Sequence, residues 1–285
     1  MKTLLSFGHG YSARALAHLL LPEGWRIIGT TRSEEKADAL RETGVEPVIW
    51  PGADMAPYLG EATHLLISAG PDEGGDPVLR AMRDEIAAAA DRLDWVGYLS
   101  TTGVYGDHQG GWVDEDTPLT PGTKRGHLRT EAEAAWQAIP GLPLHIFRLA
   151  GIYGPGRGPF AKLRSGKARR IVKPGQVFSR IHVEDIAQVL AASIARPRPG
   201  AVYNLCDDDP APPQDVIEYG AQLLGIDPPP VEDYETAEMT PMARSFYAES
   251  KRVSNERIKS ELGVRLRHPD YRSGLDALIA AERQG

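Results

Sequence analysis

Cysteine is almost absent from this chain: Cys206 is the only one in 285 residues. No internal disulfide can form, and a reducing compartment, the cytoplasm, is the expected location. Long apolar runs are missing as well. The opening Met1-Lys2-Thr3-Leu4-Leu5-Ser6-Phe7 meets glycine too soon for the core of a secretory signal. No later stretch approaches the ~20 apolar residues that span a bilayer, so no membrane association is expected. Positive charge is in deficit, with 32 Lys plus Arg against 39 Asp plus Glu and a net charge of −7. That balance argues against nucleic acid as a partner, and the one basic cluster, 162–170, reads as a solvated stretch. The eight histidines fall into no HxH or HExxH grouping, so no metal site is expected. What is present is an ordinary globular composition, 41% hydrophobic and 25% charged, with length enough for one large α/β unit and a smaller lobe.

Short β-rich runs alternate with longer helical patterns, the mark of βαβ units. Strands are expected at 3–7, 26–30, 46–50, 64–68, 95–100 and 144–148, and helices at 13–21, 34–42, 78–93 and 128–138. The first strands are apolar nearly throughout, as in a parallel sheet covered on both faces. From Gly154 onward, glycine and proline multiply, through Gly154-Pro155-Gly156 and later Pro228-Pro229-Pro230, and mark a looser lobe. A helix at 183–195 and a strand at 201–205 return to the main sheet, and the tail is helical by period at 250–262 and 271–283. The fold class is therefore α/β, a doubly wound parallel Rossmann sheet with a smaller C-terminal α/β lobe. The sheet domain takes 1–155 plus about 181–207, and a substrate lobe takes about 156–180 plus 208–285.

The clearest motif is Gly8-His9-Gly10-Tyr11-Ser12-Ala13, placed between the first strand and the first helix. Gly8 permits a tight turn, Gly10 lets the backbone approach a pyrophosphate, and Ala13 lets the helix pack closely on the strand. The helix N-terminus then points at the phosphates of a dinucleotide, with Tyr11 and Ser12 in its first turn. The second strand ends Thr30-Thr31-Arg32-Ser33, with no carboxylate before Glu34. An NAD site usually places Asp or Glu there for the ribose hydroxyls, whereas a guanidinium at Arg32, flanked by Thr31 and Ser33, suits a 2′-phosphate. NADP is the expected cofactor and NAD the alternative.

Four stretches together resemble the extended short-chain dehydrogenase/reductase superfamily, the epimerase/dehydratase group. They are the glycine motif, Leu99-Ser100-Thr101-Thr102-Gly103-Val104-Tyr105-Gly106, Arg148-Leu149-Ala150-Gly151-Ile152-Tyr153-Gly154-Pro155-Gly156, and Arg180-Ile181-His182-Val183-Glu184-Asp185. The resemblance implies that Thr101 is the catalytic hydroxyl and that the third stretch, at Gly151 and Ile152, holds the nicotinamide half of the cofactor. Ala69 and Gly70, beyond the fourth strand, complete the cofactor set. His182 and Asp185 read as helix-start capping and lobe packing. A homodimer is a further family expectation.

The chain departs from that family at its proton donor. The family carries Tyr, then Lys four residues on, then Glu after four more. Aligning on Glu133 places Arg125 at the Tyr position and Arg129 at the Lys position, and no tyrosine lies between Tyr105 and Tyr153. Arg129 inherits the contact to the nicotinamide ribose. Arg125 can stabilise an oxyanion but cannot act as a base near neutral pH. Tyr105, Lys124, His127 or a water on Thr101 remain as proton donors. Thr102-Gly103 replaces the Asp-Glu pair of the dehydratases, which argues against sugar dehydration. Two functions stay open: an NADP-dependent oxidoreductase or epimerase acting on a small carbonyl or sugar-nucleotide substrate, and a non-catalytic NADP-binding sensor.

Overall fold

The apolar runs of the N-terminal half become strands covered on both faces. The computed structural model describes residues 1–284. β1 (Thr3–Phe7), β2 (Arg26–Thr31), β3 (Glu46–Ile49), β4 (His64–Ile67) and β5 (Trp95–Thr101) alternate with α1 (Tyr11–Leu20), α2 (Glu34–Arg41), α3 (Ala56–Glu61) and α4 (Pro77–Ala88). A short β6 (Trp112–Val113) precedes α5 (Lys124–Gln137), β7 (Leu144–Leu149) and β8 (Gly151–Tyr153). Then come α6 (Phe160–Arg164), β9 (Arg170–Val172), β10 (Arg180–His182), α7 (Val183–Ala195) and β11 (Val202–Leu205). The chain ends with α8 (Pro213–Leu224), β12 (Val231–Asp233), α9 (Pro241–Phe246), β13 (Arg252–Val253), α10 (Glu256–Leu262) and α11 (Tyr271–Gln284).

The main sheet has seven parallel strands in the order β11-β7-β5-β4-β1-β2-β3, and three two-stranded pairs, β8–β10, β9–β12 and β6–β13, lie outside it. Side-chain alternation along β1 shows why both faces are covered. Leu4 packs with Leu16, Ile27 and Phe147 on one side, while Leu5 and Phe7 pack with Val78, Ile86 and Trp136 on the other. Strand order reverses between β1 and β4, which opens a crevice at their carboxyl ends, the usual ligand position in such sheets. No helix among the described residues is long and apolar enough to cross a membrane.

All six strands expected up to residue 149 form, with ends within one residue of the expected ones. Two helices differ. The expected helix at 128–138 begins at Lys124, because the Thr123 hydroxyl accepts from Gly126 N at 3.1 Å and caps it earlier. Gly126, a poor helix former, hid that start; it is there because an added methyl would lie 2.8 Å from the Gly103 carbonyl oxygen. The helix expected at 250–262 is confined to Glu256–Leu262. Its first residues are extended, held by Arg252 N to Gly111 O at 2.8 Å and Ser254 N to Val113 O at 2.8 Å.

A buried polar network fixes α5 on the sheet. Arg148 of β7 and Glu133 of α5 pair at 2.8 Å with both side chains nearly fully buried. The Ser100 hydroxyl donates to Glu133 Oε1, and Arg148 Nη1 donates to the Tyr105 hydroxyl at 2.9 Å. Tyr105 in turn donates to Asn204 Oδ1 at 2.7 Å. Removing one member leaves an uncompensated buried charge, which costs about 3–5 kcal/mol. Glu133→Ala and Arg148→Met should each lose that much in urea unfolding, and the double variant should lose clearly less than the sum. A double variant equal to the sum would mean that the two groups act independently.

Candidate functional site at the carboxyl edge of the sheet

The glycine turn is built by backbone geometry. Gly8 has φ +74°, and a methyl added there would lie 2.9 Å from Ala69 N, so β1 and β4 meet at a position only glycine fills. Thr30 docks the turn to β2: its hydroxyl accepts from Gly8 N at 2.7 Å, and its carbonyl accepts from His9 N at 2.9 Å. Gly10 starts α1 with φ −101°, and an added methyl would meet only Gly8 O, at 3.6 Å. No side chain caps α1 and its first turn holds no carboxylate, so its N–H groups and positive dipole end remain free for an anion. Ser12 and Ala13 are buried beneath the turn. Tyr11 leans outward: its hydroxyl donates to Pro155 O at 2.9 Å, and the Arg157 guanidinium lies 4.4 Å from its ring centre.

At the end of β2, Thr31 and Ser33 are partly exposed and Arg32 is exposed, with no hydrogen bond or ion pair among the described residues. The Ser33 side chain makes no cap contact to α2. Arg14, exposed one turn along α1, is a further cation near the glycine turn that its position in the sequence did not single out.

Across the crevice, Ala69 and Gly70 follow β4 and Thr101 ends β5. The Thr101 hydroxyl oxygen accepts from Gly103 N at 3.2 Å, which leaves its hydrogen free to donate. Arg129 reaches over the strand ends. Its Nη1 donates to Leu99 O at 2.5 Å and to the Tyr98 hydroxyl at 3.3 Å, and its Nη2 lies 3.3 Å from where a Gly70 methyl would be. Arg125, one turn earlier, is exposed and makes no hydrogen bond or ion pair among the described residues. Surrounding protein and then the Arg129 charge lower its pKa from the usual guanidinium value. Gly151 and Ile152 lie beyond β7, paired with Arg180 and Ile181, and Gly151 is exposed.

Tyr105, named above among the catalytic candidates, is withdrawn from the cleft. It is 0% exposed and its hydroxyl is held between Arg148 and Asn204. Burial pushes it up to about 12, so it stays protonated near neutral pH, and its hydrogen is committed to Asn204 rather than to a ligand. Position in the sequence, four residues past Thr101, could not reveal that the side chain turns into the core. Lys124 is also engaged: it bonds Glu73, linking the start of α5 to the loop after β4. His182 and Asp185 hold α7 as expected. His182 Nδ1 accepts from Glu184 N, and Asp185 accepts from Arg267 N and His268 N at 2.7 and 3.0 Å.

No protein-family model matches the chain. It is 30% identical to Protein YeeZ of Escherichia coli (strain K12), over 95% of this chain and 97% of that one. A solved structure titled as a functionally unknown conserved protein from Silicibacter pomeroyi DSS is 65% identical, with a TM-score of 0.95 and 99% of each chain covered. More distant structures share the fold. A dTDP-glucose 4,6-dehydratase from Bacillus anthracis in complex with NAD has TM-score 0.79 at 17% identity, covering 100% of this chain and 97% of that one. Human epimerase family protein SDR39U1 with NADPH has TM-score 0.77 at 18% identity, covering 98% and 99%. The chain belongs to the YeeZ family, within the epimerase/dehydratase group of the extended short-chain dehydrogenase/reductase superfamily.

Proposed function

We propose that the cleft binds a nicotinamide dinucleotide, NADP(H) in preference to NAD(H), and that the protein is an oxidoreductase or epimerase acting on a small carbonyl or sugar-nucleotide substrate. The observation that carries the reading is the open cradle at Gly10: uncapped helix N–H groups, no carboxylate in the first turn, and space where a side chain would stand. These features fit a pyrophosphate. The unpartnered Arg32 supports a 2′-phosphate, while Arg129 beside Gly70 suits the nicotinamide ribose. The dehydratase and SDR39U1 structures carry NAD and NADPH respectively, so cofactors of this class are found on the same fold.

The cofactor, when bound, supplies or accepts the hydride. In this reading the Thr101 hydroxyl hydrogen-bonds a substrate oxygen and relays to it, in one concerted step, the proton that a water supplies to accompany the hydride. Arg125 stays protonated near neutral pH, so in this reading it binds and stabilises a negatively charged oxygen rather than moving a proton. A second reading, a dinucleotide-binding module without turnover, is favoured by the withdrawal of Tyr105 and the pairing of Lys124 with Glu73. Stoichiometric oxidation of bound NADPH on adding carbonyl substrates supports the enzyme. Unchanged absorbance across a panel of such compounds supports the module.

Three outcomes test the cleft. Gly10→Val should fold, since its backbone angle is unstrained and the space is open, yet lose at least about tenfold in NADPH affinity by calorimetry. Unaltered affinity in the folded variant would move the phosphates elsewhere. Arg32→Ala should narrow the preference for NADPH over NADH by about one to two orders of magnitude, the worth of a charge-assisted phosphate contact; an unchanged ratio would refute the 2′-phosphate role.

Arg125 and Arg129 lie on one helical face four residues apart but should behave differently. Arg129→Ala should weaken NADPH binding without substrate present. Arg125→Ala should leave it nearly unchanged and raise KM or abolish a substrate-dependent signal. Equal NADPH affinities for wild type and Arg129→Ala would overturn its assignment to the ribose.

A further inference from the structure

Away from the cleft floor, where α7 meets the loop before α11, the fold gathers three potential metal ligands that lie up to 86 residues apart in sequence: His182, Glu184 and His268. Each offers one ligand atom, and these atoms lie within 4.8 Å of one another. Sequence spacing hid the group, because His182-x-Glu184 is completed only by a residue from the far end of the chain. The two imidazole rings face each other with centres 3.9 Å apart, and His268 Nε2 lies 3.1 Å from Glu184 Oε2. His182 is 1% exposed. Its Nε2 has no hydrogen-bond partner among the described residues, and its Nδ1 has only the long 3.3 Å contact from Glu184 N. Either nitrogen can therefore turn to a metal without breaking a strong bond.

We infer that His182, Glu184 and His268 form a binding site for a single divalent transition-metal ion of the zinc class. The donor set, two imidazoles and one carboxylate, suits Zn²⁺, which takes nitrogen at about 2.0–2.1 Å and oxygen at about 2.0–2.2 Å. The ligand atoms need draw together by only a modest amount. The surroundings hold the ligands in place: Asp185 accepts from both Arg267 N and His268 N, which ties the His268 backbone to the start of α7. An adjoining cavity of about 450 Å³, bounded in part by Tyr11, Val183, Glu184 and Arg267, leaves room for water or a ligand at the remaining coordination position.

Two features oppose any cation: the positive end of α7, and Arg267, whose guanidinium lies 3.9 Å from Glu184 Oε2. They make the site selective. Mg²⁺ and Ca²⁺, which rely on oxygen ligands and on charge, are disfavoured there, whereas ions with strong imidazole affinity are not. The ion would join the start of α7 to the segment leading into α11, and so tie the C-terminal helix to the sheet domain.

The test uses the tag-free full chain after removal of metal by chelator. Zn²⁺ titrated by calorimetry should bind as a single saturable equivalent with proton release, and should raise the thermal unfolding midpoint. Co²⁺ should give visible absorption bands of a low-coordinate site, and Mg²⁺ should give no saturable heat. His268→Gln and Glu184→Gln should each lower Zn²⁺ affinity at least about tenfold. Their NADPH affinity should stay at the wild-type level, so failure here is distinguishable from failure of the dinucleotide reading. Because Glu184 is half-exposed, its variant should fold even if the His268 variant is weakened, and metal-free melts check both. Absence of saturable Zn²⁺ binding in wild type, or wild-type affinity in the folded variants, would overturn the proposal.

Discussion

The ion pair between Glu133 and Arg148 is the interaction on which the cleft geometry depends. α5 carries few apolar side chains toward the sheet, chiefly Ala132 and Trp136, and packing alone specifies its position weakly. A buried charge pair does what apolar contacts cannot: it is tolerated only in one geometry, with its remaining atoms satisfied by Ser100 and Tyr105. Since β5, β7 and α5 all contribute, sliding the helix by one turn would leave charges unpaired in the core. The register so fixed carries Arg129 across the end of β5 and leaves Arg125, one turn earlier, exposed. The network continues through Asn204, whose backbone N–H donates to Glu115 at 2.8 Å and whose side chain donates to Ser254 O at 3.2 Å. It therefore also ties β11 and the C-terminal segment to the same point.

The sheet was legible because its signal is local. Buried parallel strands demand near-continuous apolar runs, and β1, β4 and β5 have them, so their ends fall within a residue of expectation. The glycine motif was legible for a related reason, since the turn at Gly8 admits no other residue. What escaped depends on partners distant in the chain. The extended run at Arg252–Val253 exists because β6 lies beside it, and nothing local distinguishes it from the start of a helix. The orientation of Tyr105 is set by Arg148 and Asn204, 43 and 99 residues away. The grouping of His182 with His268 is likewise a product of tertiary structure.

The substitution of two arginines for the tyrosine and lysine of the wider superfamily changes what the cleft can do. A lysine at the later position would be a compact point charge, whereas Arg129 divides its fork between the Leu99 carbonyl and the Gly70 side of the crevice. It is thus a rigid part of the wall before any ligand arrives, and little side-chain entropy remains to be lost on binding. Arg125 has no such anchor. With Tyr105 sequestered, the proposed reading puts a fixed positive charge where the resemblance expects a proton donor, and such a charge would favour substrates that bring or develop negative charge there.

Charge distribution sharpens the point. The chain as a whole is acidic, at −7, yet Arg14, Arg32, Arg125, Arg129 and Arg157 all lie on or beside the elements that border the crevice. Of these, Arg129 and Arg157 make their direct contacts to neutral groups, a carbonyl, a hydroxyl and aromatic rings, and Arg129 also feels the buried Asp76 carboxylate. A concave site lined by one sign within a surface of the other focuses the field on the site and repels anions elsewhere. The dinucleotide phosphates are the ligand class that such a field selects.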